Sequence, residues 1–313
     1  MWKKGGTAEM GFEDKKIALV GAGPANLNAA KVLVSEGFSV DIYEKEAAVG
    51  GAVYTGIPDF RMPKQFITKL EADLKEAGVR FHMNTEIGKD ITFGELTEKY
   101  DRVILGIGAQ VENKFGMEGD GYVAGLTLLY DLNILKKHEE YKQRYSKAVV
   151  WGGGNVAMDC SASLARILPD VRIVYRRSPE EMPASKKEIK DNMAVGVQFE
   201  YLENIKDLIL DENGKVKGVH IAKMELGEPD ASGRRRPVEI PGSVYEFDCD
   251  LVVAAIGQKV DFSAFPGVER TEGHLSTVKN VYITGDAFLG PKNIGLAVKD
   301  GKETAAEVIA SFN

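Results

Sequence analysis

One phrase occurs twice in this chain and restricts its fold more than any other feature. A short apolar run ends at glycine, a glycine-rich loop follows, then a helix-spaced segment, then a second apolar run. In the first copy, Lys16–Val20 leads into Gly21-Ala22-Gly23-Pro24-Ala25-Asn26. Ala25, Ala29, Val32 and Leu33 then recur at helical spacing up to a stop at Gly37, and residues 38–44 alternate as a strand. In the second copy, Ala148–Trp151 leads into Gly152-Gly153-Gly154-Asn155-Val156-Ala157, a helix over Asn155–Leu168 halted by Pro169, and a strand over Val171–Tyr175. Each copy is closed downstream by a further strand ending in glycine, at 100–108 and 249–257. Two such copies predict two related nucleotide-binding folds.

The tail adds Val281-Tyr282-Ile283-Thr284-Gly285-Asp286, another strand ending in Gly-Asp, and a helix over Leu296–Ala310. These complete the first fold, so the second is expected to be inserted into it. The limits are placed at 1–118, 119–257 and 258–313. Residues 1–15 read as a poorly ordered lead-in, and 228–241 as a hairpin connection.

The two copies differ where they would meet a nucleotide. In the first loop, Gly21 permits the tight turn, and Gly23 lets the backbone approach a pyrophosphate at the helix N-terminus. Glu44 ends the following strand, where a carboxylate accepts hydrogen bonds from ribose hydroxyls. Asn26 stands where the fingerprint has its third glycine, so the helix is expected to sit slightly farther out. In the second loop, Gly152 and Gly154 precede Asn155 and Val156, and Ala157 is an accepted third residue. Its following strand ends in Arg176-Arg177, which suits a ribose 2′-phosphate as an acid does not.

Composition narrows the function. A net charge of −7 argues against nucleic-acid binding as the main task. Cys160 and Cys249 form no Cys-x-x-Cys, which argues against a disulfide framework, an iron–sulfur cluster or a thiolate zinc site. Lone Cys160 is expected to serve packing. His82, His138, His220 and His274 show no ligand spacing, so no metal site is expected. Two scattered thiols, and no apolar stretch at the N-terminus or of membrane-spanning length, suit a cytoplasmic protein.

Taken together, these phrases resemble the flavoprotein portion of the glutamate synthase small (β) subunit, a branch of the pyridine nucleotide-disulfide oxidoreductase superfamily without a redox disulfide. They are similar too to parts of dihydropyrimidine dehydrogenase and of NADPH-dependent ferredoxin oxidoreductase large subunits. The likeness runs over about 15–313, through the two loops, Gly50-Gly51, Gly56-Ile57-Pro58, Met158-Asp159-Cys160, Val174-Tyr175-Arg176-Arg177-Ser178, the phrase at 227–237 and Gly285-Asp286. It implies an α/β protein of two Rossmann-like domains in β/β/α layers, the NADP domain inserted into the FAD domain. It implies FAD on Gly21, Gly23, Pro24, Ala25, Glu44, Lys45, Gly50, Gly51, Ile57, Gly108, Gly285 and Asp286. Ile87, in a strand over 85–87, is to meet the adenine through its backbone. Asn293 and Ile294 are to lie near the flavin ring, with the last helix N-terminus aimed at it. NADPH is implied on Gly152, Gly154, Asn155, Val156, Arg176 and Arg177.

The implied reaction is hydride transfer from NADPH to FAD, then release of electrons to an acceptor, with no catalytic side chain required. The acceptor is a ferredoxin, an iron–sulfur protein or a glutamate synthase-type partner. Full small subunits begin with a cysteine-rich iron–sulfur domain that these residues lack. Two other readings stand beside the enzyme: an electron-transfer subunit inactive without its partner, and a redox-sensing nucleotide-binding protein. In the segment 56–63, Ile57, Phe60 and Met62 either form a docking surface beside the flavin or pack over its ring.

Overall fold

The computed structural model describes residues 11–113, 115–231 and 233–313. Most of the expected lead-in, and Ser232 of the hairpin phrase, lie outside them. The chain divides into two compact units: one comprises residues up to 54, 63–111 and 259–313, and the other 55–62 and 112–258. Sequence places the limits at 118 and 257 instead, and leaves 55–62 in the first part.

The first unit opens with β1 (Lys16–Val20), α1 (Pro24–Ser35) and β2 (Ser39–Tyr43). A short α2 (Ala52–Thr55) and α3 (Gln65–Glu76) lead to β3 (Arg80–His82), α4 (Phe93–Lys99) and β4 (Arg102–Leu105). The second unit then contributes β5 (Val111–Glu112), β6 (Tyr122–Ala124), α5 (Gly125–Asn133), α6 (His138–Arg144), β7 (Lys147–Trp151), α7 (Asn155–Leu164) and β8 (Asp170–Tyr175). It continues through α8 (Lys186–Ala194), β9 (Gln198–Tyr201), β10 (Glu203–Leu210), β11 (Val216–Pro229), β12 (Arg235–Glu239), β13 (Tyr245–Asp248) and β14 (Leu251–Ala254). After β15 (Gln258–Lys259), which pairs with β5, the chain finishes the first unit with β16 (Val281–Ile283), α9 (Asp286–Leu289) and α10 (Ile294–Ala310).

The first sheet has the order β16-β4-β1-β2-β3 and is parallel throughout. Its central strands β1 and β4, and β16 beside them, are buried and apolar on both faces, as a doubly covered parallel sheet requires. Against one face pack Phe93 and Leu96 of α4 with Phe265 and Val268, meeting Ala18, Val20, Val103, Leu105, Val281 and Ile283. α1 packs against α3 and α10. Gly301 permits the last contact, because a Cβ there would stand 2.1 Å from the Ala25 carbonyl oxygen.

The second sheet, β6-β14-β7-β8-β9, is likewise parallel. Alternate residues of β7 separate its two cores. Ala148 and Val150 face Leu128 and Leu129 of α5 and Met158 of α7. Val149 and Trp151 face Ile205, Val219 and Ile221 of an antiparallel sheet built from β10, β11, β12 and β13. The second unit is therefore layered β/β/α.

Candidate functional site

At the first loop, the β1–α1 turn is shaped by Gly21, whose φ is +92° and whose missing Cβ leaves room for the Gly106 carbonyl 2.6 Å away. Gly21 N–H donates to the Tyr43 carbonyl at 2.8 Å, and Gly50 N–H to the Ala22 carbonyl at 2.8 Å. A Cβ on Gly51 would sit 3.1 Å from Gly23 Cα, and one on Gly285 2.8 Å from Ala25 Cβ. Gly23, Ala25, Gly51 and Gly285 thus converge on the α1 N-terminus, with Pro24 at its first turn.

Glu44 is 5% exposed. Its carboxylate accepts from Ala22 N–H at 2.6 Å and from Glu46 N–H at 2.9 Å. Burial raises its pKa against the pull of those two amides. Glu44 thus braces the loop through one backbone amide on each carboxylate oxygen. Neighbouring Lys45 is exposed.

Asn26 does not displace the helix. Its Nδ2 donates to the Val20 and Gly21 carbonyls, each at 2.8 Å. Room for the side chain comes from Gly106 after β4, where a Cβ would lie 2.5 Å from Asn26 Cγ. The missing third glycine is supplied from the facing strand. Asn26 Oδ1 is left as a buried acceptor without a partner among the described residues.

The remaining first-unit candidates are placed less simply. Residues 85–87 form no strand: Asn84 has φ +51°, Thr85 N–H donates to the Glu44 carbonyl at 2.9 Å, and Ile87 makes only an isolated bridge to Ile91. The turn at Asn84 breaks the extension begun by β3. Gly108 has φ +70°. The Asp286 carboxylate accepts from Lys292 N–H at 3.2 Å, and its pKa is raised by burial. Asn293 is the N-cap of α10, its side chain accepting from Leu296 N–H at 2.9 Å, with Ile294 beginning the helix. Ile57 lies in the segment that packs with the second unit.

Beneath Gly285 is a polar network that sequence did not reveal. The Asp300 carboxylate accepts from Gly285 N–H at 2.6 Å and Thr284 Oγ1 at 3.0 Å, and pairs with His274 Nε2 at 3.1 Å. His274 Nδ1 meets Glu307 at 2.7 Å. Burial opposes protonation of His274, but the hydrogen bonds and charges of Asp300 and Glu307 outweigh it and raise its pKa.

The second loop repeats the geometry of the first. Gly152 has φ +141°, a Cβ there would stand 2.2 Å from the Ala255 carbonyl oxygen, and its N–H donates to the Val174 carbonyl at 3.1 Å. The middle glycine has its own reason. A Cβ on Gly153 would lie 2.5 Å from the Tyr175 ring, whose hydroxyl donates to the Glu181 carbonyl at 2.8 Å. Gly154 is the N-cap of α7, followed by Asn155 and Val156.

Arg176 and Arg177, expected to act alike, are placed differently. Arg176 is exposed, whereas Arg177 is 4% exposed. Arg177 donates from Nε to the Arg235 carbonyl at 2.7 Å and from Nη2 to Asp230 at 2.8 Å. It holds the β11–β12 hairpin rather than reaching solvent.

The helices differ in how their N-termini are capped. α4 and α8 carry complete capping boxes, Thr92 with Glu95 and Ser185 with Glu188. The Glu112 carboxylate accepts from Leu126 and Thr127 N–H at the start of α5. α1 and α7 have glycine N-caps, no side-chain cap and no acid in the first turn. Their first-turn amides thus meet no capping side chain, as also at α3. Open space at Gly23 and Gly154, where a Cβ would meet nothing within 4 Å, fits a phosphate approaching each helix end.

The segment 55–62 is anchored to the second unit. Arg61 pairs with Asp159 at 2.5 Å and with Glu188, and the Arg166 guanidinium lies 3.5 Å from the Phe60 ring centroid. Phe60 is therefore committed on one face to a cation, a role that sequence does not signal. Met62 is half-buried. Cys160 and Cys249 are free and buried, and burial pushes the Cys160 thiol well up and the Cys249 thiol up to about 12. Neither carries the thiolate character of a redox cysteine. Among the described residues, no group of His, Cys, Asp or Glu could hold a metal ion, and no helix is long and apolar enough to cross a membrane.

The family model described as "Pyridine nucleotide-disulphide oxidoreductase" matches residues 15–301. The chain is 38% identical to the NADP(+)-dependent formate dehydrogenase subunit beta of Moorella thermoacetica, over 94% of this chain and 43% of that protein. It is 31% identical to the glutamate synthase [NADPH] small chain of Escherichia coli, over 93% of this chain and 67% of that one. It therefore spans less than half of the first relative's length. In structure it resembles FprA of Mycobacterium tuberculosis, solved in complex with NADPH, with a TM-score of 0.82, 22% identity, and coverage of 95% of this chain and 84% of that one. At that identity the likeness speaks for the fold alone.

Proposed function

The chain belongs to the pyridine nucleotide-disulphide oxidoreductase family, and from that premise we propose that it binds FAD in the first unit and NADPH in the second, and passes electrons from NADPH to a protein acceptor. The observation that carries this reading is the contrast at two otherwise matching sites. Two uncapped helix N-termini each follow a glycine loop, and the neighbouring strand ends in buried Glu44 at one and in exposed Arg176 at the other.

Held there, FAD supplies the chemistry of accepting a hydride from NADPH and releasing electrons to an acceptor. The protein's part is to bind, orient and select. The α1 amides and the Gly51 and Gly285 backbones receive the pyrophosphate, and Glu44 accepts from the adenosine ribose. The α7 amides receive the NADPH pyrophosphate, and Arg176 meets the 2′-phosphate. The relatives named as subunits of larger enzymes support an acceptor that is itself a protein.

The test is anaerobic. The purified chain is expected to carry one FAD, to have it reduced rapidly by NADPH and slowly by NADH, and to turn over with a ferredoxin or an iron–sulfur partner. A colourless protein that refuses added FAD while binding NADPH overturns the two-site reading.

A further inference from the structure

Resting on the FAD reading of the first unit, we propose that Asp300 of α10 is a positioning residue for the flavin nucleotide. It holds the Gly285 backbone beside the start of α1, and the charge of His274 behind it makes flavin affinity depend on pH.

Four polar side chains are buried where α10 meets the end of β16: Thr284, Asp300, Thr304 and His274. Apolar side chains would join a helix to a sheet without a desolvation cost, so a buried polar layer calls for a use. Its bonds converge on one backbone group. Asp300 Oδ2 accepts from Gly285 N–H at 2.6 Å and from Thr284 Oγ1 at 3.0 Å, and Oδ1 meets His274 Nε2 at 3.1 Å. Thr304 Oγ1 stands 2.9 Å from Thr284 Oγ1. The Gly285 carbonyl accepts from Phe288 and Leu289 N–H at 2.9 and 2.8 Å, so the peptide groups on both sides of its Cα are fixed. With φ +64° and ψ −144°, Gly285 holds a conformation that glycine alone adopts readily.

The same residues set the first turn of α1. Gly301, next to Asp300, leaves room for the Ala25 carbonyl, and Gly285 leaves room for the Ala25 side chain. Ala25 lies in the turn that receives the pyrophosphate in this reading. Asp300 is buried, so it acts through Gly285.

A buried carboxylate behind an anion-binding helix end opposes the ligand unless it is neutralised. His274 supplies the counter-charge. Burial works against its imidazolium, but Asp300 and Glu307 outweigh it and keep His274 protonated above the ordinary histidine range. Burial likewise works to raise Asp300, and His274, Gly285 N–H and Thr284 outweigh it. Around His274 stand Asp300 and Glu307 of α10 and, from α9, the Phe288 ring at 4.5 Å. Asp286, at the start of α9, feels the charge of Asp300. Once His274 loses its proton, Asp300 stands unneutralised beside Gly285. Flavin affinity is therefore full below the ordinary histidine value and is lost as pH rises through the raised one. By reciprocity, bound FAD raises the His274 pKa further.

The test follows FAD release on dilution of the loaded protein, read as the return of flavin fluorescence, from pH 6 to 9. The wild type is expected to bind FAD about 10-fold more weakly at pH 9 than at pH 6. His274→Gln and Asp300→Asn are expected to keep FAD with an affinity that is flat over this range, while His220→Gln, in the second unit, keeps the wild-type dependence. Asp300→Ala removes the acceptor of Gly285 N–H and is expected to weaken FAD about 10- to 100-fold at pH 6. Asp300→Asn retains an acceptor and is expected to recover most of that loss. Should Asp300→Ala fail to fold, the profiles of the other two variants decide. Wild-type FAD affinity in folded Asp300→Ala overturns the inference and leaves the FAD reading intact. So does a flat wild-type profile, or a wild-type pH dependence kept in both His274→Gln and Asp300→Asn. A wild type that takes up no FAD at any pH overturns both.

Discussion

The two glycine-loop units solve one packing problem with the bulk placed on opposite sides. In the first, Asn26 stands at the third fingerprint position and Gly106 faces it across the loop. In the second, Ala157 stands at that position and Ala255 follows the closing strand, both in one apolar cluster. Volume added to the helix is removed from the strand. The fingerprint is therefore a property of a pair of positions, and a missing third glycine does not by itself argue against a nucleotide site. The units differ more in polarity. The first loop is braced by a buried carboxylate, and its closing phrase rests on the His274–Asp300 pair. The second is braced by the Tyr175 ring, and its closing strand β14 is wholly apolar.

The sharpest way to break this comparison is to strain each loop in turn. Gly21→Ala puts a Cβ 2.6 Å from the Gly106 carbonyl oxygen at positive φ, and Gly152→Ala puts one 2.2 Å from that of Ala255. Each is expected to cost its own ligand at least about 100-fold in affinity. Flavin absorbance and 2′,5′-ADP titration should show losses that do not cross over, and equal loss of both ligands from either variant defeats the assignment.

Next in size is Arg176→Ala. A lost charged hydrogen bond is expected to raise the NADPH dissociation constant about 10- to 150-fold, with NADH little changed. Equal losses would make Arg176 structural. Asn26→Gly removes two hydrogen bonds and an orphaned acceptor and places glycine in a helix. A loss of about 1–2 kcal/mol is expected, read as a lower Tm, with FAD retained. Loss of flavin would give the Asn26 amide a direct role.

The smallest effect is one of pH. The folded-state pKa of His274 is raised, so its contribution is fully present below the ordinary histidine value and is lost as pH rises through the raised one. Thermal stability measured from pH 6 to 9 should fall less steeply in His274→Gln than in wild type. His220 is also raised, by Asp207 and Glu246, but lies on a wet sheet. His220→Gln is the control, with the weaker change expected.

Both β–α–β units were legible in sequence because glycine, helical spacing and buried strands are local signals. β1, α1, β2, β7 and β8 fall where those signals place them, within a few residues at their ends. The antiparallel sheet under the second unit was visible only as one hairpin, because β10 alternates weakly and β13 is only four residues long. Remoteness in sequence hid the sites' supports. Nothing near Asn26 announces Gly106, nothing near Gly285 announces Asp300, and Arg177 resembles Arg176 until Asp230 is brought to it. The strand over 85–87 that the resemblance implied does not form, because Asn84 places a left-handed turn directly after β3.

The first unit is closed by residues that come after the whole of the second. β16 pairs along β4, Val281 opposite Val103, and Gly301 of α10 rests against the Ala25 carbonyl. On the ribosome, β1 to β4 therefore emerge well before the strand and helix that finish their sheet. The outer edge of β4 waits unpaired while residues 112–258 are made. Translation thus imposes an order: the inserted unit can mature on the nascent chain, whereas the enclosing unit takes its final form only after residue 301 has left the exit tunnel. A message truncated between the two yields a chain with an open sheet edge, the kind of product that quality control removes.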